Sequence, residues 1–157
     1  MADEKKLKAA RNVYESLCDM LDEKGIKYDK HPEDLVVTFV MQGEDIPMQF
    51  VVQVDSMREL IRVASPIPVT FDGDKRLAGA IVTSQANYKL VDGSFDYDYN
   101  KGKVYYRMTS SYIDSVISKE LCEYMVGASC YIVDEFNDKF LMVAKGGMSA
   151  LDYIKTL

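Results

Sequence analysis

Residues 47–64, PMQFVVQVDSMRELIRVA, constrain the chain more than any other stretch. Two runs of alternating polarity flank an Asp-Ser pair, the kind of dipeptide that fills tight turns. In the first run Met48, Phe50, Val52 and Val54 share one face, and Gln49, Val51 and Gln53 share the other. Such period-two alternation marks a strand buried on one side, so the region predicts an antiparallel hairpin. With Asp55-Ser56 as the loop, Val54 faces Met57, Phe50 faces Ile61 and Met48 faces Val63. The second face then sets Gln53 across from Arg58, Val51 from Leu60 and Gln49 from Arg62. A slip by one residue would mix the two faces, so the pattern demands this parity.

Other elements fall into place around the hairpin. Leu7, Ala10, Tyr14, Leu17, Cys18 and Leu21 recur at helical spacing and predict a first helix, ended by Gly25 in the left-handed region with Ile26 after it. Leu35–Met41 reads as a first strand. Asp72-Gly73-Asp74 opens a second helix to about Asn87, with Leu77, Ala80, Ile81 and Ser84 expected inward. Phe95, Tyr97 and Tyr99 then alternate with aspartates, and Val104, Tyr106 and Met108 alternate with Tyr105 and Arg107. These form a second hairpin, through Lys101-Gly102 or through a four-residue loop of the same parity, with Asp96 and Arg107 on the wet side. Ser118 caps a last long helix whose stripe is Leu121, Met125, Ala128, Ile132, Phe136, Phe140 and Val143. Gly146-Gly147 ends it, and residues 149–157 form a short terminal helix or tail. The fold class is α+β: order α-β-β-β-α-β-β-α, an antiparallel sheet with helices on one face, in one domain spanning 1–157.

Composition narrows the chemistry. Of the 157 residues, 48% are hydrophobic and 28% charged, enough for a packed core and too apolar for disorder. The net charge of −6 argues against a nucleic-acid partner, which needs a concentrated basic face. No apolar run approaches the ~18 residues of a membrane span. The three cysteines, Cys18, Cys122 and Cys130, are an odd number without a CxxC pair, which fits a reducing compartment and a cytoplasmic protein. His31 is the sole histidine and precedes Pro32, reading as an exposed loop residue ahead of the first strand. No HExxH or Cys/His cluster occurs, so no metal or other cofactor is expected. Asp92, Asp96 and Asp98 have spacing reminiscent of a calcium loop, yet Tyr97 stands where the loop needs glycine and the bidentate glutamate is missing. Gly146-Gly147 follows a helix, the wrong end for phosphate. Gly127, Ala128 and Ser129 form a small-residue patch that suits close packing within the fold or a contact between two copies.

The order of elements and several local signatures resemble the YbjN-domain family, described as candidate bacterial sensory transduction regulators with a fold like that of type III secretion chaperones. The residues that carry the likeness are FVVQVDSMRELIRV (50–63), Asn87–Phe95, Gly102–Arg107 and the final helix closed by Gly146-Gly147. The resemblance spans nearly the whole chain and contains no catalytic residue. It implies the fold and a regulatory role, and by analogy with secretion chaperones it implies an apolar surface that holds an extended client segment.

If helices cover the Phe50/Val52/Ile61/Val63 side, then Val36, Val40, Val51 and Leu60 point the other way, with Gln49, Gln53, Arg58 and Arg62 around them. An apolar spot rimmed by polar groups on an uncovered sheet is the expected partner site. The 11 tyrosines and 9 methionines are compatible with such a surface. The reading is a non-enzymatic module that binds a protein segment and pairs, in one version, as a homodimer. Its alternatives are a self-associating structural subunit, and a small enzyme using Asp96, Asp98 and Tyr105.

Overall fold

The computed structural model describes residues 2–157. Helix α1 (Ala2–Glu23) leads into strands β1 (Asp29–His31), β2 (Val36–Met41), β3 (Met48–Asp55) and β4 (Leu60–Thr70). A 3-10 turn (Gly73–Lys75) precedes α2 (Arg76–Lys89), then β5 (Ser94–Asp98), β6 (Lys103–Ser111), α3 (Lys119–Ala144) and α4 (Ala150–Lys155). The strands form a six-stranded open sheet in the order β1-β2-β3-β4-β6-β5, with every neighbouring pair antiparallel.

One face of this sheet is dry. Phe50, Val52 and Val54 of β3, Ile61 and Val63 of β4 and Val104 and Tyr106 of β6 are all buried, which the alternation requires. Helix α3 lies over β4 and β6, α1 packs beside α3 and reaches β3, and α2 rests on β5. Phe95 anchors the centre, with its ring 4.9 Å from Phe140 and 5.4 Å from Phe136 and Tyr106, edge to face. Gly25 ends α1 at φ +67°, and the Ile26 N–H reaches the Leu21 carbonyl at 2.9 Å, closing the expected cap. The Ser118 hydroxyl accepts the Leu121 N–H at 3.1 Å and caps α3. Within α3, Met125, Phe136, Phe140 and Val143 are buried as expected, while Leu121, Ala128 and Ile132 are only partly covered.

The first hairpin keeps its predicted faces and changes its register. Val54 pairs with Ile61 and Val52 with Val63, so Asp55 meets Leu60 and the loop is Ser56–Glu59. Asp55 Oδ1 accepts the backbone N–H of Met57 (3.0 Å) and Arg58 (2.9 Å), and Glu59 adopts φ +53°. A two-residue loop would have pushed Asp55 and Ser56 into left-handed geometry, whereas this Asx-type turn leaves only its last residue there. The second hairpin repeats the solution: Asp98 pairs with Lys103, accepts from Asn100 and Lys101, and Gly102 takes φ +65°. That is the four-residue loop rather than the Lys101-Gly102 one. Asp96 now stands across from Tyr105 and reaches Arg107 diagonally at 2.9 Å.

Three further expectations need correction. His31 is in β1, paired with Val36, and not in a loop; the strand is three polar residues with no period to read. Strand β4 runs on through Pro66 and Pro68 to Thr70. Its pairing with β3 stops at Ala64, and its register with β6 shifts between Pro66 and Thr70, where the two prolines lack N–H groups. Finally, α2 is rotated. Gly79, Val82, Thr83 and Ala86 face inward, whereas Leu77 and Ile81 are exposed and Ser84 faces solvent. A side chain at Gly79 would strike Phe71 and Tyr97, and Thr83 satisfies its own hydroxyl on the Gly79 carbonyl at 2.8 Å. Small residues thus bring the helix close to β5, and close approach outweighs the larger side chains in choosing the face.

Candidate functional site

Among the described residues, no helix covers the other sheet face. It presents Val36, Thr38 and Val40 from β2, Gln49, Val51 and Gln53 from β3, Leu60, Arg62, Ala64, Pro66 and Pro68 from β4, and Tyr105 and Arg107 from β6. Val40 is 62% exposed and Val51 37%, high values for valines in a sheet. Val36, Leu60 and Arg62 are half-buried on the same face. The Arg62 guanidinium donates to Gln53 Oε1 at 3.0 Å, across the pair the new register creates. Arg58 does not join them; it sits in the exposed β3–β4 turn.

The expected residues therefore separate into two spots. Val40 and Val51 are diagonal neighbours, since Val40 pairs with Gln49 and Val51 with Thr38. Leu60 stands opposite Asp55, four residues along β3 from Val51, or about 13 Å at strand rise. Around Val40 lie contributors that the sequence left out: Tyr28, Pro66, Pro68 and Tyr105. One hollow of about 440 Å³ is lined by Tyr28, Thr38, Val40, Gln49 and Val51. A second of about 340 Å³ is lined by Val40, Gln49, Pro66, Pro68 and Tyr105. They share Val40 and Gln49, forming one shallow furrow across the strands with apolar walls and amide, lysine and aspartate groups at its margins.

The two borders of the sheet differ. At the β1 border the short strand pairs with only Val36–Thr38, so beyond Thr38 β2 has no strand on its outer side. At the β5 border the Asn87 amide takes the place of a neighbour: its Oδ1 accepts the Phe95 N–H at 2.7 Å and its Nδ2 donates to the Phe95 carbonyl at 3.0 Å.

Nothing in the titratable groups assembles a reactive centre. Burial pushes the thiols of Cys122 and Cys130 up from 9.0 to about 11, and raises Cys18 as well. Burial likewise raises Tyr14 and Tyr106 from 10.0 to about 12. These groups stay protonated at neutral pH, the reverse of an activated nucleophile. The acidic trio is dispersed into separate tasks: Asp92 accepts from the Tyr124 hydroxyl, Asp96 pairs with Arg107, and Asp98 holds a turn. Among the described residues, no three His, Cys, Asp or Glu side chains converge as metal ligands, and no helix is long and apolar enough to cross a membrane. In the small-residue patch, Ser129 is fully buried, but a side chain at Gly127 would meet nothing within 4 Å, so that glycine serves no close contact inside this chain.

The topology, an open antiparallel sheet with helices on one face, is that of the type III secretion chaperone-like class. The crystal structure of YbjN from E. coli, a candidate transcription regulator, matches with a TM-score of 0.57 at 15% identity, covering 80% of this chain and 91% of that one. A chain of the ExsC–ExsE complex matches at 0.54 and 17% identity, over 82% and 92%. The HopA1–SchA chaperone–effector complex gives 0.49 and 12%, over 82% and 94%. No protein-family model matches the sequence, and no curated protein does either. The chain has a YbjN-like fold.

Proposed function

We propose that this protein is a non-enzymatic binding module of the bacterial cytoplasm that holds an extended segment of a client protein on its open sheet face, and regulates that client by occupying it. The carrying observation is the furrow: two exposed valines with prolines and Tyr105 on an uncovered sheet, with Gln49, Asp29 and Lys103 among its polar lining. Val36 and Leu60 extend the apolar track toward the β3–β4 turn, where Arg58 supplies a charge at its margin. The fold supports the reading, because the similar ExsC–ExsE structure is of a complex. Fully burying an exposed valine contributes about 1.5–3 kcal/mol, so Val40, Val51 and Tyr105 supply only part of the roughly 8 kcal/mol of a micromolar complex, and the bound segment's own side chains and backbone contacts supply the rest.

The test is affinity capture from the native cytoplasm with wild type, Val40→Asp and Val51→Asp, followed by titration of synthetic peptides tiling the captured protein. Both variants are expected to keep the wild-type melting temperature and lose the client peptide at least tenfold. Equal peptide binding by all three would overturn the site, and a client that binds only as a folded domain would overturn the extended-segment reading.

A further inference from the structure

Past Ala64 the sheet splits. Pro66 is next in register with Gln49 and has no N–H to offer, so the buried Ser65 hydroxyl donates to the Gln49 carbonyl instead, at 2.7 Å. The split is the hollow of about 340 Å³. Pro47, Pro66 and Pro68, three of the chain's four prolines, stand exposed along it with Tyr105. The neighbouring hollow of about 440 Å³ is lined from β1, β2 and β3, and the split from β2, β3, β4 and β6. Their centres therefore lie about one and a half strand spacings apart across the sheet and about two residues apart along β3. At roughly 4.8 Å per strand and 3.4 Å per residue, that is about 10 Å.

We propose that the furrow takes a proline-bearing segment in the polyproline II conformation. It lies across the strands with one proline in each hollow, three residues apart, and an acidic residue beyond the split at Lys103. This rests on the client-segment reading above and specifies the segment. Residues i and i+3 of a polyproline II helix project to the same side about 9.3 Å apart, which matches the hollows. Same-side residues repeat at about 6.8 Å in a strand and about 5.4 Å in a helix, and both fall short. Hydrogen bonding favours the same conformer. The ladders occupy the backbone groups of a sheet, so a strand lying flat on its face finds no partner there for its own N–H and C=O groups. A polyproline II backbone is satisfied by water, and proline fixes φ before binding, which lowers the ordering cost. Walls of proline and tyrosine suit pyrrolidine rings, and the Gln49 amide can donate to a carbonyl of the segment. Charge is matched as well. Among the described residues, Lys103 is the one charged side chain along the split. Its ammonium donates to the Thr70 hydroxyl, and Asp98, opposite it in the ladder, pairs with Lys101 at 3.9 Å. A carboxylate of the segment gives Lys103 its counter-charge.

The test is fluorescence anisotropy with a labelled peptide, Glu-Ala-Pro-Leu-Ala-Pro-Ala-Glu, whose acidic ends allow either direction of binding. Four unlabelled relatives compete with it: the parent, one with both prolines replaced by valine, one with the prolines two residues apart, and one with lysine at both ends. Wild type should bind the parent with a Kd between about 10 and 500 µM. The valine and short-spaced peptides should be at least fivefold weaker, and the lysine-ended peptide at least threefold weaker. Lys103→Gln, at an unchanged melting temperature, should erase the difference between acidic and lysine ends and keep the preference for proline. Absence of parent binding up to about 2 mM overturns the proposal. So does a valine peptide that binds as tightly as the parent, and so does a charge preference indifferent to Lys103→Gln. None of these results touches the broader client-segment reading, which fails on its own terms if captured client peptides bind wild type and Val40→Asp equally.

Discussion

Asn87 shows how much one side chain can decide. Its carboxamide presents a donor and an acceptor at the spacing of a peptide group, so it satisfies both outward-facing backbone groups of Phe95. Asn87→Ala leaves two polar groups beside the core and should cost about 1–3 kcal/mol in urea unfolding; Asn87→Asp, which keeps only the acceptor, should fall between. Gly102 carries a different constraint: at φ +65° a Cβ would run into the Phe71 carbonyl, whose N–H in turn donates to Gly102 O at 2.8 Å. Gly102→Ala is therefore expected to destabilise by at least about 2 kcal/mol, because the obstacle is backbone and cannot rotate aside. The buried thiols and phenols make a third residue-level prediction. Their ionisation is held back in the folded chain, so the unfolded chain loses protons first as pH rises. Stability should be fully present below about pH 9, and should fall as pH climbs from 9 through the folded values near 11 for Cys122 and Cys130 and 12 for Tyr106. Thermal melts at pH 7, 9 and 10.5 read this directly, and a melting temperature that rises over that interval would contradict it.

Elements divide by whether one residue set encodes both the period and the packing. Strands β3 and β6 were legible because their inward residues are apolar and most of their outward ones polar, so alternation alone gave the faces. The hairpin registers were legible only to parity, since Asp55 and Asp98 build longer turns through side-chain bonds that hydrophobic pattern does not record. Helix α2 misled the pattern because its largest residues lie outside and glycine, threonine and alanine lie inside. A clue existed: Thr83 can return its hydroxyl to the chain four residues earlier, and Gly79 at the same step leaves room for an aromatic ring. The open sheet face was half legible. Val36, Val40, Val51 and Leu60 follow from alternation, whereas Pro66 and Pro68 were lost because proline argues against a strand unless the neighbouring strand is known to have ended. Leu77→Ala and Ala86→Leu turn this into a test at the level of α2. The first should change monomer stability by under about 0.5 kcal/mol, and the second should cost about 1–3 kcal/mol by overfilling the contact with β5. The reverse ranking in denaturant titrations would restore the face the sequence suggested.

At the scale of the whole molecule, the helices are gathered on one face of the sheet and the other face is left open. The dissimilar borders of the sheet bear on growth. Asn87 occupies the backbone of β5 at Phe95, while β2 stays unaccompanied past Thr38. A chain that can be joined on one flank and has the other flank already spoken for has no way to pass the invitation on. Addition stops after one partner, so a strand joined at β2 does not become the first rung of a fibre.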